Sequence, residues 1–139
     1  MSQVDLDTAV GYVLKRAAVA LRSAMDAALR DHDLTTPQYS CLEQLAHTPG
    51  LTNAALARGT FVSRQAMHQL LGTLRGAGLV QSDGAGRHEH FTLTLTGAER
   101  LVGASAAVAT VQERMLAAFD AEQQRRLYAD LAACADALG

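Results

Sequence analysis

The apolar residues of this chain change period in its middle, and that change does most to decide what it can fold into. Up to about Arg75 they recur at three- and four-residue steps, as on amphipathic helices. A strand then begins at Leu79-Val80, and in a second one Phe91, Leu93 and Leu95 alternate with Thr92 and Thr94. Between the two runs, Ser82-Asp83-Gly84-Ala85-Gly86 supplies turn residues, which predicts a two-stranded hairpin with a mobile tip. Helical spacing returns after Thr96. A single hairpin inside an otherwise helical chain gives a mainly α (α+β) fold, and no repeat or low-complexity linker divides it.

End signals delimit the helices. From Val4 to Leu29, residues such as Val10, Val13, Leu14, Ala17, Leu21 and Met25 form one long helical stripe. Leu6, Tyr12, Val19 and Ala20 widen it beyond what one packing face needs. Thr36 can cap the next helix, with Pro37 at a first position that needs no N–H. This helix buries Tyr39, Leu42 and Leu45 and stops at Thr48-Pro49-Gly50. A short helix begins near Thr52 or Asn53 and ends around Gly59. Ser63 caps a third, with Ala66, Met67, Leu70, Leu71 and Leu74 inward and Gly76 and Gly78 as terminators. Thr96 with Glu99, and Asp120 with Gln123, read as capping boxes opening helices from Gly97 to Phe119 and from Ala121 to Leu138. The last of these is expected to bury Leu127, Leu131, Cys134 and Leu138.

With 139 residues, 49% of them hydrophobic, the chain is the size of one domain or of one subunit of an oligomer. No apolar run approaches the length of about 18 residues that a membrane span requires, and Asp5 and Asp7 stand where a signal peptide carries Lys or Arg, so a cytoplasmic location is expected. Cys41 and Cys134 match no redox or metal spacing. The 12 Lys and Arg against 14 Asp and Glu give a net charge of −2, which does not announce a polyanionic partner.

Two short helices joined by a tight turn, Thr52 to Gly59 and Ser63 to Arg75, fit a helix-turn-helix, and the hairpin directly after them makes a winged version. The same order also occurs in helical modules that bind no nucleic acid. Leu51-Thr52-Asn53-Ala54-Ala55-Leu56-Ala57, Val62-Ser63-Arg64-Gln65-Ala66-Met67 through Leu74, Gly78-Leu79-Val80 and Leu93-Thr94-Leu95-Thr96 followed by Glu99 resemble the MarR (multiple antibiotic resistance regulator) family. The long helix before this core and the two after it extend the resemblance over essentially the whole chain.

That resemblance implies a winged helix-turn-helix core at 33–97, flanked by N- and C-terminal dimerisation helices at 1–32 and 98–139. It implies a homodimer that binds a palindromic double-stranded DNA operator, more often as a repressor than an activator, and responds to a small-molecule effector, with no cofactor and no membrane partner. In similar proteins small aromatic or anionic effectors bind between the dimer helices and the core. Here Tyr12, Arg16 and Tyr39 would line that cleft. A winged-helix module that binds a ligand or protein but little or no DNA is the alternative, motivated by a core with as many acids as bases.

On the third helix of the core, Ser63, Arg64, Gln65, His68, Gln69, Thr73 and Arg75 face away from the apolar stripe. Arg64 suits a bidentate contact to guanine, Gln65 or Gln69 one to adenine, and His68 and Thr73 suit phosphate or base. Thr52, Asn53 and Thr36, at helix starts, suit phosphates, although capping explains them equally well. The wing offers Arg87, His88 and His90. Similar regulators carry Asp-x-Arg or Asp-Arg-Arg before the second strand, and counting back from Leu95-Thr96 places Arg87, His88 and Glu89 there, reversing the usual charges. His88 and His90 alone make an incomplete zinc site, so no metal is expected. Both cysteines read as small buried residues, and neither stands near the start of the first helix, where relatives that sense peroxide carry theirs. The chain has no Gly-x-Ser-x-Gly, His-Glu-x-x-His or phosphate-binding glycine loop, so it is read as having no catalytic site.

Overall fold

The computed structural model describes residues 5–139. The elements are α1 (Val10–Leu29), α2 (Thr36–His47), α3 (Asn53–Thr60), α4 (Arg64–Gly76), β1 (Val80–Asp83), β2 (His90–Leu93), α5 (Leu95–Met115) and α6 (Ala121–Leu138), with single 3-10 turns at Arg30–His32 and Gly86–His88. This is the expected winged helix-turn-helix with long helices on either side.

Several boundaries differ from the sequence expectation, each for a local reason. The first helix starts at Val10; Val4 lies outside the described residues. Ahead of the helix the Asp5 carboxylate accepts from the Asp7 amide at 3.0 Å, a side-chain turn that competes with helix. Thr35, not Thr36, caps α2, because Gln38 stands three residues after it and completes a reciprocal capping box. The largest correction falls at α5. Its cap is Thr94, whose hydroxyl accepts from the Gly97 amide at 3.0 Å and donates to the Gly78 carbonyl at 2.6 Å, so β2 ends at Leu93 and Thr96 with Glu99 forms no cap. Gly97 explains the choice: a Cβ there would lie 2.0 Å from the Leu79 carbonyl oxygen, so the first turn of α5 sits directly on the backbone entering β1.

The strands pair antiparallel in the register Val80 with Leu93, Ser82 with Phe91 and Asp83 with His90. A third segment, not foreseen, joins them. Leu51 bridges Phe91, the Gly50 amide donates to the Phe91 carbonyl at 2.8 Å, and the Phe91 amide donates to the Leu51 carbonyl at 3.0 Å. The root of the wing is thereby tied to the loop before α3.

One buried cluster holds these pieces together. Leu29 of α1, Leu42 and Leu45 of α2, Leu56 of α3, Met67 and Leu74 of α4 and Leu79 are all but sealed from solvent, and Leu101, Ala104 and Val108 of α5 close the cluster. Each large side chain of this set stabilises the fold by about 1.5–3 kcal/mol through burial. Ala66 is exposed, contrary to the inward place given it, because the buried face of α4 turns through Met67, Leu71 and Leu74. The outer helices contrast with this core. In α1 only Leu29 is buried, and Val10, Val13, Leu14 and Val19 stand open. No residue of α6 is buried, so Leu127, Leu131, Cys134 and Leu138 form a stripe that this single chain does not cover.

Candidate nucleic-acid interface

The helix-turn-helix is fixed by hydrogen bonds that the two helices make to their surroundings. Thr52 caps α3 through the Ala55 amide at 3.3 Å, and Ser63 caps α4 through the Ala66 amide at 3.0 Å. Between the helices, the Gln44 side-chain amide of α2 donates to the Thr60 hydroxyl at 2.8 Å. Phe61 follows in the left-handed conformation at φ 61°, costly for a bulky side chain, and is 93% exposed. Asn53 spends its side-chain N–H on the Arg64 carbonyl at 3.2 Å, joining the start of α3 to the start of α4, while its buried Oδ1 has no partner. Its side chain thus ties the two helices together.

Ala66 and Thr73 apart, the outward residues of α4 fall into two stripes, since successive residues turn by about 100°. Gln65 and Gln69 form the stripe opposite the buried face, continued by Gly72 and Gly76, where an added Cβ would meet nothing within 4 Å. Arg64, His68 and Arg75 form the other, and this one faces the wing. Arg75 donates to Glu89 Oε2 at 2.6 Å and to the Ser82 hydroxyl at 2.8 Å, and lies 5.4 Å from the centre of the Phe91 ring. The Ser82 hydroxyl also donates to Glu89, and this bond, followed by Arg75, holds the Glu89 carboxyl below the usual carboxylate range. Arg75, expected among the DNA contacts, is therefore also a brace between α4 and the hairpin.

Beyond this brace the wing and α4 diverge and leave a cleft of about 340 Å³. Its walls are Thr52, Asn53 and Ala54 from the start of α3, Arg64 and His68 from α4, and Gly86, Arg87, Glu89 and Phe91 from the hairpin. Arg87 and His88 lie on the 3-10 turn, both exposed. Because His88 is not on a strand, it shares no face with His90, whose Nδ1 donates to the Gly50 carbonyl at 2.8 Å. Among the described residues no three His, Cys, Asp or Glu come together as a metal site. Moving the helix cap from Thr96 to Thr94 also moves the wing count back two residues, to Ala85, Gly86 and Arg87. Arg87 then occupies the arginine place of the resemblance, and only the acid is missing.

The remaining expected residues lie elsewhere. The Thr36 hydroxyl donates to Asp26 of α1, whose carboxyl is held below its usual range by that bond and by Arg22. Tyr12 and Arg16 lie on the open part of α1, beside Val13, Ala17 and Val19. Tyr39 is at the seam of α2 and α5, where its hydroxyl donates to Glu43 at 2.6 Å and Ser105 donates to the same carboxylate at 3.0 Å. Burial, then Glu43, pushes the Tyr39 phenol up to about 12. This chain does not bring Tyr39 together with Tyr12 and Arg16. Cys41 is buried, its thiol pushed up to about 12, but Cys134 is exposed on α6, contrary to expectation.

The MarR family profile matches residues 32–88, the segment from the 3-10 turn after α1 to the tip of the wing. Over 122 residues the chain is 40% identical to the HTH-type transcriptional repressor Rv2887 of Mycobacterium tuberculosis, covering 86% of this chain and 88% of that one. Its fold is similar to the crystal structure of Rv2887 in complex with DNA, with a TM-score of 0.76 and 38% identity over 92% of this chain and 98% of the other. Rv2887 structures with salicylic acid and with p-aminosalicylic acid are comparably similar, with TM-scores of 0.74 and 0.76 at 38% and 36% identity, covering 96% and 92% of this chain and 98% and 99% of those. A transcriptional repressor, CouR, bound to a 23-mer DNA duplex, matches with a TM-score of 0.84 at 26% identity, over 96% of this chain and 99% of that one.

Proposed function

The chain belongs to the MarR family, and from that premise we infer that it is a homodimeric, sequence-specific DNA-binding transcriptional repressor whose operator binding is modulated by a small aromatic acid. The observation that carries the reading is the surface of α4. Gln65 and Gln69 stand fully outward on a helix that starts with free N–H groups, and Arg87 flanks it from the wing, which is the arrangement a helix in the major groove requires. Rv2887 has been solved with DNA, with salicylic acid and with p-aminosalicylic acid, which supports both halves of the inference.

The apolar residues left open on α1 and α6 supply the surface for a two-fold partner, and two-fold symmetry presents two α4 helices to a palindromic operator. Residues 1–32 and 98–139 then serve dimerisation and 33–97 binds DNA. The DNA contacts fall to Ser63, Arg64, Gln65, His68, Gln69 and Thr73 of α4, to Arg87 and His88 of the wing, and to Thr52 at the start of α3. Tyr12 and Arg16 are assigned to the effector and Tyr39 is not, because its phenol is already committed to a carboxylate that would repel an acid. The protein is a regulator and not an enzyme. No helix among the described residues is long and apolar enough to cross a membrane, and a repressor works in the cytoplasm, where its operator lies.

A gel shift with the DNA flanking its own gene tests the reading. Sequence-selective retardation at moderate salt that salicylate reverses is the expected result. Retention of salicylate with no selective retardation anywhere upstream would favour a ligand-binding module instead.

A further inference from the structure

The two stripes of α4 point in different directions, and only one of them faces away from the rest of the domain. Gln65 and Gln69 project from the crown of the helix, where a groove floor lies. Arg64 is one residue and about 100° away. It shares its stripe with His68, which lines the same cleft, and with Arg75, which touches the wing. Arg64 and Arg87 are thus opposite walls of one cleft, and among the described residues neither guanidinium has a hydrogen bond or ion-pair partner. The acid in that cleft, Glu89, is held through Oε2 by Arg75 and Ser82, which offset its charge, and neither Arg64 nor Arg87 is bonded to it. Two unpaired guanidiniums facing across a cleft that opens on the proposed DNA face, with a threonine cap and free helix N–H groups at its end, suit a single tetrahedral anion.

We propose that the cleft between α4 and the wing seats one backbone phosphate of the bound duplex, gripped from α4 by Arg64 and from the wing by Arg87, and that Arg64 reads no base. The Arg75–Glu89–Ser82 brace sets the width of the cleft. The reading of sequence then falls to Gln65 and Gln69. This rests on the regulator reading above and assigns its contacts.

The test uses the full-length protein and a self-complementary duplex selected by it from a random-sequence pool. Both arginines are exposed, so Arg64→Gln and Arg87→Gln should leave the circular dichroism spectrum and the melting temperature unchanged. On the unmodified duplex each variant should bind roughly tenfold more weakly, the usual size of a lost charged hydrogen bond. Replacing the phosphates by neutral methylphosphonates, one position per half-site at a time, should identify a single position at which wild type, Arg64→Gln and Arg87→Gln bind equally. The pool selected by Arg64→Gln should keep the wild-type sequence. Different silencing positions for the two arginines, or a changed base preference in Arg64→Gln, would overturn the shared phosphate while leaving the regulator intact. A wild-type protein that selects no duplex would overturn both.

Discussion

Arg75, Thr36 and Asn53 each carry the side chain that a DNA contact needs, and each is used inside the protein. Their partners, Glu89, Asp26 and the Arg64 carbonyl, lie 14, 10 and 11 residues away in sequence. No local pattern reveals such a pairing: Arg75 stands outward on its helix, and Thr36 and Asn53 stand at helix starts, which is all that the sequence displays. Arg64 and Arg87, by contrast, have no hydrogen-bond or ion-pair partner among the described residues. The same scale carries two predictions. Glu89 is held below its ordinary value of 4.5, so the brace contributes fully above that pH and is lost as the pH falls through the lower folded value. The NMR signals of the Arg75 guanidinium and the Ser82 amide should therefore stay constant from pH 7 to about 5 and shift only below about 4.5, and Glu89→Gln should abolish the transition. A titration centred above pH 5 would mean that the carboxyl is not bonded as described. Cys41 has its thiol pushed up to about 12 by burial, so in the native protein it should resist iodoacetamide at pH 8 while Cys134 of an unassociated chain reacts. Rapid alkylation of Cys41 without unfolding would point to a thiol sensor.

At the scale of elements, helix type and order followed from spacing alone, but the junction of the hairpin with α5 did not. Of the two threonines only Thr96 has a capping-box acid three positions on, Glu99, and the alternation of Phe91, Leu93 and Leu95 argued for it as well. What decides is a tertiary approach. Gly97 lets the first turn of α5 rest on the Leu79 carbonyl, and the same threonine that caps the helix ties back to Gly78. Leu95 accordingly leaves the strand and is exposed. The consequence can be measured by urea denaturation. Thr94→Ala should cost about 1 kcal/mol for the lost cap. Gly97→Ala should cost about 1–3 kcal/mol, because the added methyl group forces the helix off the Leu79 backbone. Thr96→Ala, with no cap to lose, should stay within about 0.5 kcal/mol of the parent. Equal losses at Thr94 and Thr96 would return the helix start to its sequence-based position.

The whole molecule resolves the difficulty posed by its charge. Residues 33–97 hold four acids and four bases, so attraction to a polyanion cannot come from a net basic domain. Two of those bases and two of those acids are removed from the question by position: Arg75 and Glu89 neutralise each other, Glu43 is turned inward to Tyr39 and Ser105, and Arg58 lies on α3 away from the cleft walls. What remains is Arg64 and Arg87, a small, directed pair of cations per subunit, with Asp33 after α1 and Asp83 at the end of β1 both outside the cleft walls. So few phosphate contacts give weak binding to any one half-site, and useful affinity then depends on two subunits binding together. The uncovered stripe of α6 is the place to break that dependence. Leu131→Asp puts a charge among Leu127, Cys134 and Leu138 without touching the buried core, so each subunit should keep its helical content while sedimentation shows the mass falling from twice the subunit value to one. Operator affinity should fall by roughly a thousandfold or more, the lower end of the usual gap between specific and non-specific binding. A dimer that persists in Leu131→Asp would move the interface off this stripe, and a monomer that still binds its operator tightly would show that one winged helix supplies the affinity by itself.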